Sequence, residues 1–123
     1  MHIRALDWDY KNPISKNPTL IVYHPSDPKM HIHANLGWAG FVGSMTGVSE
    51  FLSLGEKVWY PPKNSVKTTR YGNPWTYMFR DVLYDANDIK SALEVLSNTH
   101  RTCSIHIGLG SATDHSFRMF EYA

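Results

Sequence analysis

The apolar residues of this chain change their period twice, and that order restricts the fold more than any other feature. Thr19-Leu20-Ile21-Val22-Tyr23 is an apolar, β-branched run of the kind that forms a strand. Pro25-Ser26-Asp27-Pro28 supplies turn chemistry. Met30, Ile32, Ala34 and Leu36 then alternate with His31, His33 and Asn35, which predicts a second strand pairing back as a hairpin. Strand-like sequence continues through Trp38 to Ser49 and Phe51 to Trp59. The period then shifts. Trp75, Met78, Phe79, Val82 and Leu83 fall at helical spacing behind Pro74, and Ile89, Ala92, Leu93 and Leu96 repeat the pattern. Asn87 or Asp88 is the expected N-cap of the second helix. Alternation returns at Cys103 to Ile107 and at Phe117 to Tyr122. With a further short strand over Ile3 to Trp8, the expected order is β-β-β-β-β-α-α-β-β. Strands, then helices, then strands specify an α+β domain, an antiparallel sheet packed by a helical layer.

Composition narrows the function classes. The 123 residues make one domain at most, 1–123, with 42% hydrophobic and 19% charged residues. That is a globular balance. A net charge of +1 without a Lys/Arg run argues against nucleic acid as a partner. The longest weakly polar run, Leu36 to Val48, holds four glycines and falls short of the roughly 20 apolar residues of a membrane span. No basic segment followed by an apolar one opens the chain, so no signal peptide is visible. A single cysteine, Cys103, excludes an internal disulfide. Strand-like sequence at both ends leads to the expectation that the domain is partial, with sequence missing on both sides.

Several groups of residues could carry chemistry. Arg4 and Asp7 are charged residues among Ile3, Leu6 and Trp8, and charges in apolar surroundings need partners or a task. On a regular strand they point to opposite faces, so a contact requires a bend near Asp7; a strand-end ion pair is the simple alternative. Gly37-Trp38-Ala39-Gly40-Phe41-Val42-Gly43-Ser44-Met45-Thr46-Gly47 lacks both the P-loop Lys-Ser/Thr and the dinucleotide glycine spacing. It fits a bent strand pair whose backbone passes close to a substrate or a second sheet. Glu56 shares a strand face with Leu52 and Leu54. A carboxylate there is paired, protonated or functional, and Lys57, Arg4 and Arg70 are possible partners. His31-x-His33 could hold a metal, but no further ligand supports it, so exposed hairpin histidines and no metal are expected. Cys103 has no local base and reads as a buried structural thiol.

Taken together, Arg4-Ala-Leu-Asp7-Trp8, Gly37 to Gly47 and Leu54-Gly55-Glu56-Lys57 resemble the cysteine N-terminal-nucleophile hydrolases of the acid ceramidase, N-acylethanolamine amidase and penicillin acyltransferase-like group. The downstream block Gly72-Asn-Pro-Trp75 through Cys103-Ser104 is similar to the same group. The resemblance implies a four-layer αββα sandwich and a self-cleaving amidase or acyltransferase. It implies an exposed N-terminal cysteine that forms an acyl-enzyme with an N-acyl, lipid-like substrate, without a cofactor. It implies catalytic roles for Arg4 and Asp7 beside that cysteine, and for Glu56, where Gly55 and Lys57 depart from the family pattern. Trp38 and Phe41 are candidate substrate-binding residues. The expected nucleophile precedes Arg4 and is absent from these residues, as is a clear oxyanion-hole Asn. The expectation is therefore an inactive isolated chain that associates with a missing segment or subunit. The alternative is a degenerate, non-catalytic binding or structural module. A full-length protein following the family would be lysosomal or secreted.

Overall fold

A computed structural model describes residues 2, 3, 5, 11–63, 65 and 69–123. The expected strand over Ile3 to Trp8 falls mostly outside them. A short 3-10 turn, Pro13–Lys16, capped by the Asn12 side chain, precedes the sheet. Six strands follow: β1 Pro18–Tyr23, β2 His33–Trp38, β3 Thr46–Ser49, β4 Leu52–Val58, β5 Ile105–Ser111 and β6 Ser116–Tyr122. They form one antiparallel sheet in chain order, β1-β2-β3-β4-β5-β6. Between β4 and β5 lie α1, Trp75–Asp85, and α2, Ile89–Asn98.

Both helices cover the same face of the sheet. Met78, Phe79, Val82 and Leu83 of α1 and Ala92 and Leu96 of α2 are buried against Leu52, Leu54, Ile105, Ile107, Leu109 and Tyr122. The expected helical stripes are thus the core stripes. Pro74 stands at the N-cap of α1 and offers no side-chain cap, where the sequence suggests a place inside the first turn. Asp88 caps α2 in a reciprocal capping box with Ser91, and those hydrogen bonds hold its carboxyl below the usual range.

Four contacts fix the run of the helices. Ser44 N–H donates to Thr76 O at the start of α1, and His31 N–H donates to Tyr84 O near its end. Ile89 N–H donates to Asp114 Oδ2 in the β5–β6 turn, and Tyr122 Oη donates to Leu96 O. The helix pair therefore rises along the sheet and returns. One end of the sheet gathers the start of α1, the β2–β3 loop, the end of β4 and the start of β5.

The other face carries no helix. Register places Leu20, Leu36 and Thr46 in one row across β1, β2 and β3, with Val22, Ala34 and Val48 in the next. Ser53, Gly55, Gly108, Gly110, Phe117 and Met119 continue that face across β4, β5 and β6. Leu20 is 65% exposed, Phe117 61% and Met119 65%.

Candidate functional site

The sheet end that receives α1 collects most of the candidate residues. Glu56 follows Leu52 and Leu54 by alternation and pairs across to Ile107. It is half-buried and shares the helix-covered face, as its spacing predicts. Its charge reaches Cys103, which precedes β5. Burial is the main cause pushing the Cys103 thiol up, Glu56 adds to it, and a hydrogen bond from the Trp75 backbone offsets part. Cys103 is half-buried rather than sealed. A thiol held in its protonated form is a poor nucleophile, in keeping with its structural reading.

Tyr122 completes this corner. Desolvation pushes its phenol up, while Arg101 pulls it down. The Arg101 guanidinium stacks over the Tyr122 ring at 4.1 Å. It also donates to the Ala123 carbonyl.

The β2–β3 loop stands at the same end. Trp38 is buried and Phe41 is half-buried. Their rings meet edge to face with centroids 6.1 Å apart, and Phe41 N–H donates to Trp38 O at 3.0 Å. Trp38 shares the parity of Leu36, so it leaves β2 on the open face of the sheet, opposite to Glu56.

The loop is anchored from beneath by Asn35, which is 1% exposed. Its Nδ2 donates to Gly43 O at 3.0 Å, and its Oδ1 accepts from Ser44 Oγ at 3.1 Å and Met45 N–H at 3.3 Å. Gly43 is left-handed, φ +90°, and a Cβ there would stand 2.6 Å from Thr76 O. Glycine is required at this point by both conformation and space.

Sequence reasoning overlooked one cluster. Lys57, His106 and Glu121 face one another across β4, β5 and β6 on the open face. Trp59 stacks on the His106 ring at 5.1 Å, and His106 Nε2 lies 3.8 Å from Glu121 Oε1. The three are scattered in sequence, and only the register unites them.

The histidine expectation needs correction. His33 is 2% exposed and His31 is half-buried, and only His33 lies within β2. His33 sits between Tyr23, stacked at 4.8 Å, and Tyr84, edge-on at 4.4 Å. Alternation in this strand sends the polar residues under the helices and the apolar ones outward. Among the described residues, no group of three or more His, Cys, Asp or Glu could hold a metal ion. Arg4 and Asp7 lie outside the described residues. Their neighbours His2 and Ile3 line a shallow basin with Val48, Ser53, Gly108, Gly110 and Phe117, on the open face. No described helix is long and apolar enough to cross a membrane.

Comparison with known proteins places this geometry. Along 96% of its length the chain superposes on a Caenorhabditis elegans N-acylethanolamine-hydrolyzing acid amidase ortholog, with a TM-score of 0.66 and 16% identity, covering 57% of that chain. The chain has the fold of that part of the amidase. In sequence it is 37% identical over 121 residues to protein dcd1B of Dictyostelium discoideum, 98% of this chain and 24% of that protein. It is 35% identical over 130 residues to dcd1A of the same organism, 100% of this chain and 29% of that protein. The chain thus spans about a quarter of the length of the curated relatives it matches. No family model matches it.

Proposed function

We propose that this chain is one part of an amide hydrolase of the N-terminal-nucleophile type, whose cysteine is supplied from outside these residues and whose substrate is an N-acyl, lipid-like amide. The fold shared with an N-acylethanolamine-hydrolyzing amidase over 96% of the chain carries the reading. The open sheet face supports it. An apolar face of this extent is a surface that a second layer covers, and a facing sheet would complete a four-layer αββα sandwich. The first described residues, His2 and Ile3, already lie on that face.

In this mechanism the cysteine thiolate attacks the amide carbonyl and forms a C–S bond. The C–N bond breaks, the amine leaves with a proton, and water then hydrolyses the thioester. Arg4 favours the thiolate by its positive charge, and Asp7 orients Arg4 and the α-amino group. Glu56, on the helix side of β4, orders the end of the sheet rather than touching substrate. Trp38 and Phe41 face the acyl chain. Reaction with substrate needs the segment that supplies the cysteine, so the isolated chain is inactive.

The test is expression of the longest translated product containing these residues. The expected results are self-cleavage ahead of a cysteine, release of amine from a fluorogenic N-acyl amide, and an acyl adduct on that cysteine by mass spectrometry. An intact product without hydrolysis would overturn the assignment.

Two observations favour a second reading. Glu56 and Trp38 leave the sheet on opposite faces, and the thiol of Cys103 is pushed up. A non-catalytic binding or structural module has no need to bring such groups together. It would bind an acyl probe without processing it.

A further inference from the structure

Asn35 makes three side-chain hydrogen bonds from the covered face of β2. It is sealed from solvent, and both ends of its amide are engaged by the β2–β3 loop. We propose that Asn35 is a positioning residue for acyl-chain recognition: its amide holds residues 43–45 so that the Trp38–Phe41 corner is presented in one geometry. The proposal rests on the reading of those two rings as acyl-facing.

The loop's own backbone is poor in intrinsic restraint. Gly40 and Gly43 are both left-handed, φ +83° and +90°. Glycines at such points leave the intervening chain free in the unfolded state and add no side-chain contacts. Two backbone hydrogen bonds also tie the loop, Phe41 N–H to Trp38 O and Ser44 N–H to Thr76 O. Without the Asn35 amide, Gly43 O and Met45 N–H lose a partner in a buried place, which favours a shifted loop.

Fold and position are separable here. β3 begins at Thr46 and pairs with Leu36, one residue beyond Asn35. The ladder on both sides is backbone to backbone and does not use the amide. An asparagine at a strand position of this kind is better explained by the loop it shapes than by the sheet. Hydrophobic residues fill the corresponding inward sites of β4 and β5, and an amide there without a partner would cost stability.

The experiment uses the chain itself, with a pyrene-tagged dodecanoyl ethanolamide as probe and hydrogen exchange as a second readout. Asn35→Ala should weaken probe binding about tenfold, the loss expected for a buried hydrogen-bonding group. It should speed exchange of the Phe41 and Ser44 amides while leaving those of β4, β5 and α1 unchanged. Ser44→Ala removes only the hydroxyl bond to Asn35, so it should weaken binding by roughly two- to threefold and serves if Asn35→Ala fails to fold. Ile107→Val, a core change far from the loop, should lower thermal stability and leave probe affinity alone. Wild-type affinity in both Asn35→Ala and Ser44→Ala would overturn the proposal. Unaltered loop exchange in Asn35→Ala would overturn the anchor itself. If the wild-type chain does not bind the probe, the acyl-facing reading of the rings falls, and the exchange result judges the anchor separately.

Discussion

On the helix side of the sheet, Leu52, Leu54, Ile107 and Leu109 are sealed beneath Phe79, Val82 and Leu83. On the other side, Leu20, Val22, Leu36, Val48, Phe117 and Met119 stand about half or more exposed. Both sets are large apolar side chains of one sheet, the sealed ones on β4 and β5 and the exposed ones on β1, β2, β3 and β6. Apolar character alone therefore does not decide burial; the presence of a second layer does. Gly55 and Gly108 pair directly, and Gly110 stands opposite Ser53, a run of small residues that makes this part of the open face flat enough for another sheet to approach. Phe117 already leans across it, within 3.1 Å of where a Gly108 Cβ would stand.

This contrast can be broken most forcefully on the covered side. Phe79 is fully buried, and Phe79→Ala should cost about 3–5 kcal/mol by urea denaturation. A loss below about 1 kcal/mol would mean that the helices are not the true cover.

Next comes the loop that joins the two faces. Gly43→Ala forces a left-handed alanine against the Thr76 carbonyl, so a loss of about 2–3 kcal/mol is expected. A neutral result would show that the loop can move off α1.

His33 supplies a pH-dependent comparison. Burial is the main cause lowering its basicity, with Arg80 and His31 contributing in the same direction and the His31 carbonyl opposing. The neutral form is thus favoured in the folded chain. Its contribution to stability is fully present above the unfolded value, near 6.5, and is lost as pH falls below that value. His33→Phe should flatten the decline in urea midpoint between about pH 7 and pH 5. An equal decline in the variant would place the sensitivity elsewhere.

The smallest effect on stability is expected on the open side. Leu36→Ser with Met119→Ser should shift the unfolding free energy of the chain by no more than about 0.5 kcal/mol per site. It should still reduce self-association in sedimentation velocity. A large loss of stability would show that this face is covered within the chain.

Much of this arrangement was legible beforehand. The helical stripes at Trp75–Leu83 and Ile89–Leu96 were visible because burial on one side imposes a 3.6-residue period. The strands at Thr19–Tyr23 and Phe117–Tyr122 were visible through β-branched and aromatic alternation. The orientation of β2 was not. Its apolar residues mark the open face, and its inward positions hold His33 and Asn35, so alternation identified the strand without identifying the covered side. The trio Lys57, His106 and Glu121 needed register, which no local pattern carries. Glu56 was readable as facing with Leu54, whereas its nearness to Cys103 depends on how β4 and β5 meet.

The chain-order meander has a consequence for how such a unit comes into being. Nearly every strand takes its register from the segment just before it, and only the β4–β5 pairing waits for the two helices to be made. Contacts of short sequence separation close quickly and at small entropic cost. The helix-backed half can therefore form from contacts close in the chain and then act as a template for a layer laid against its bare side.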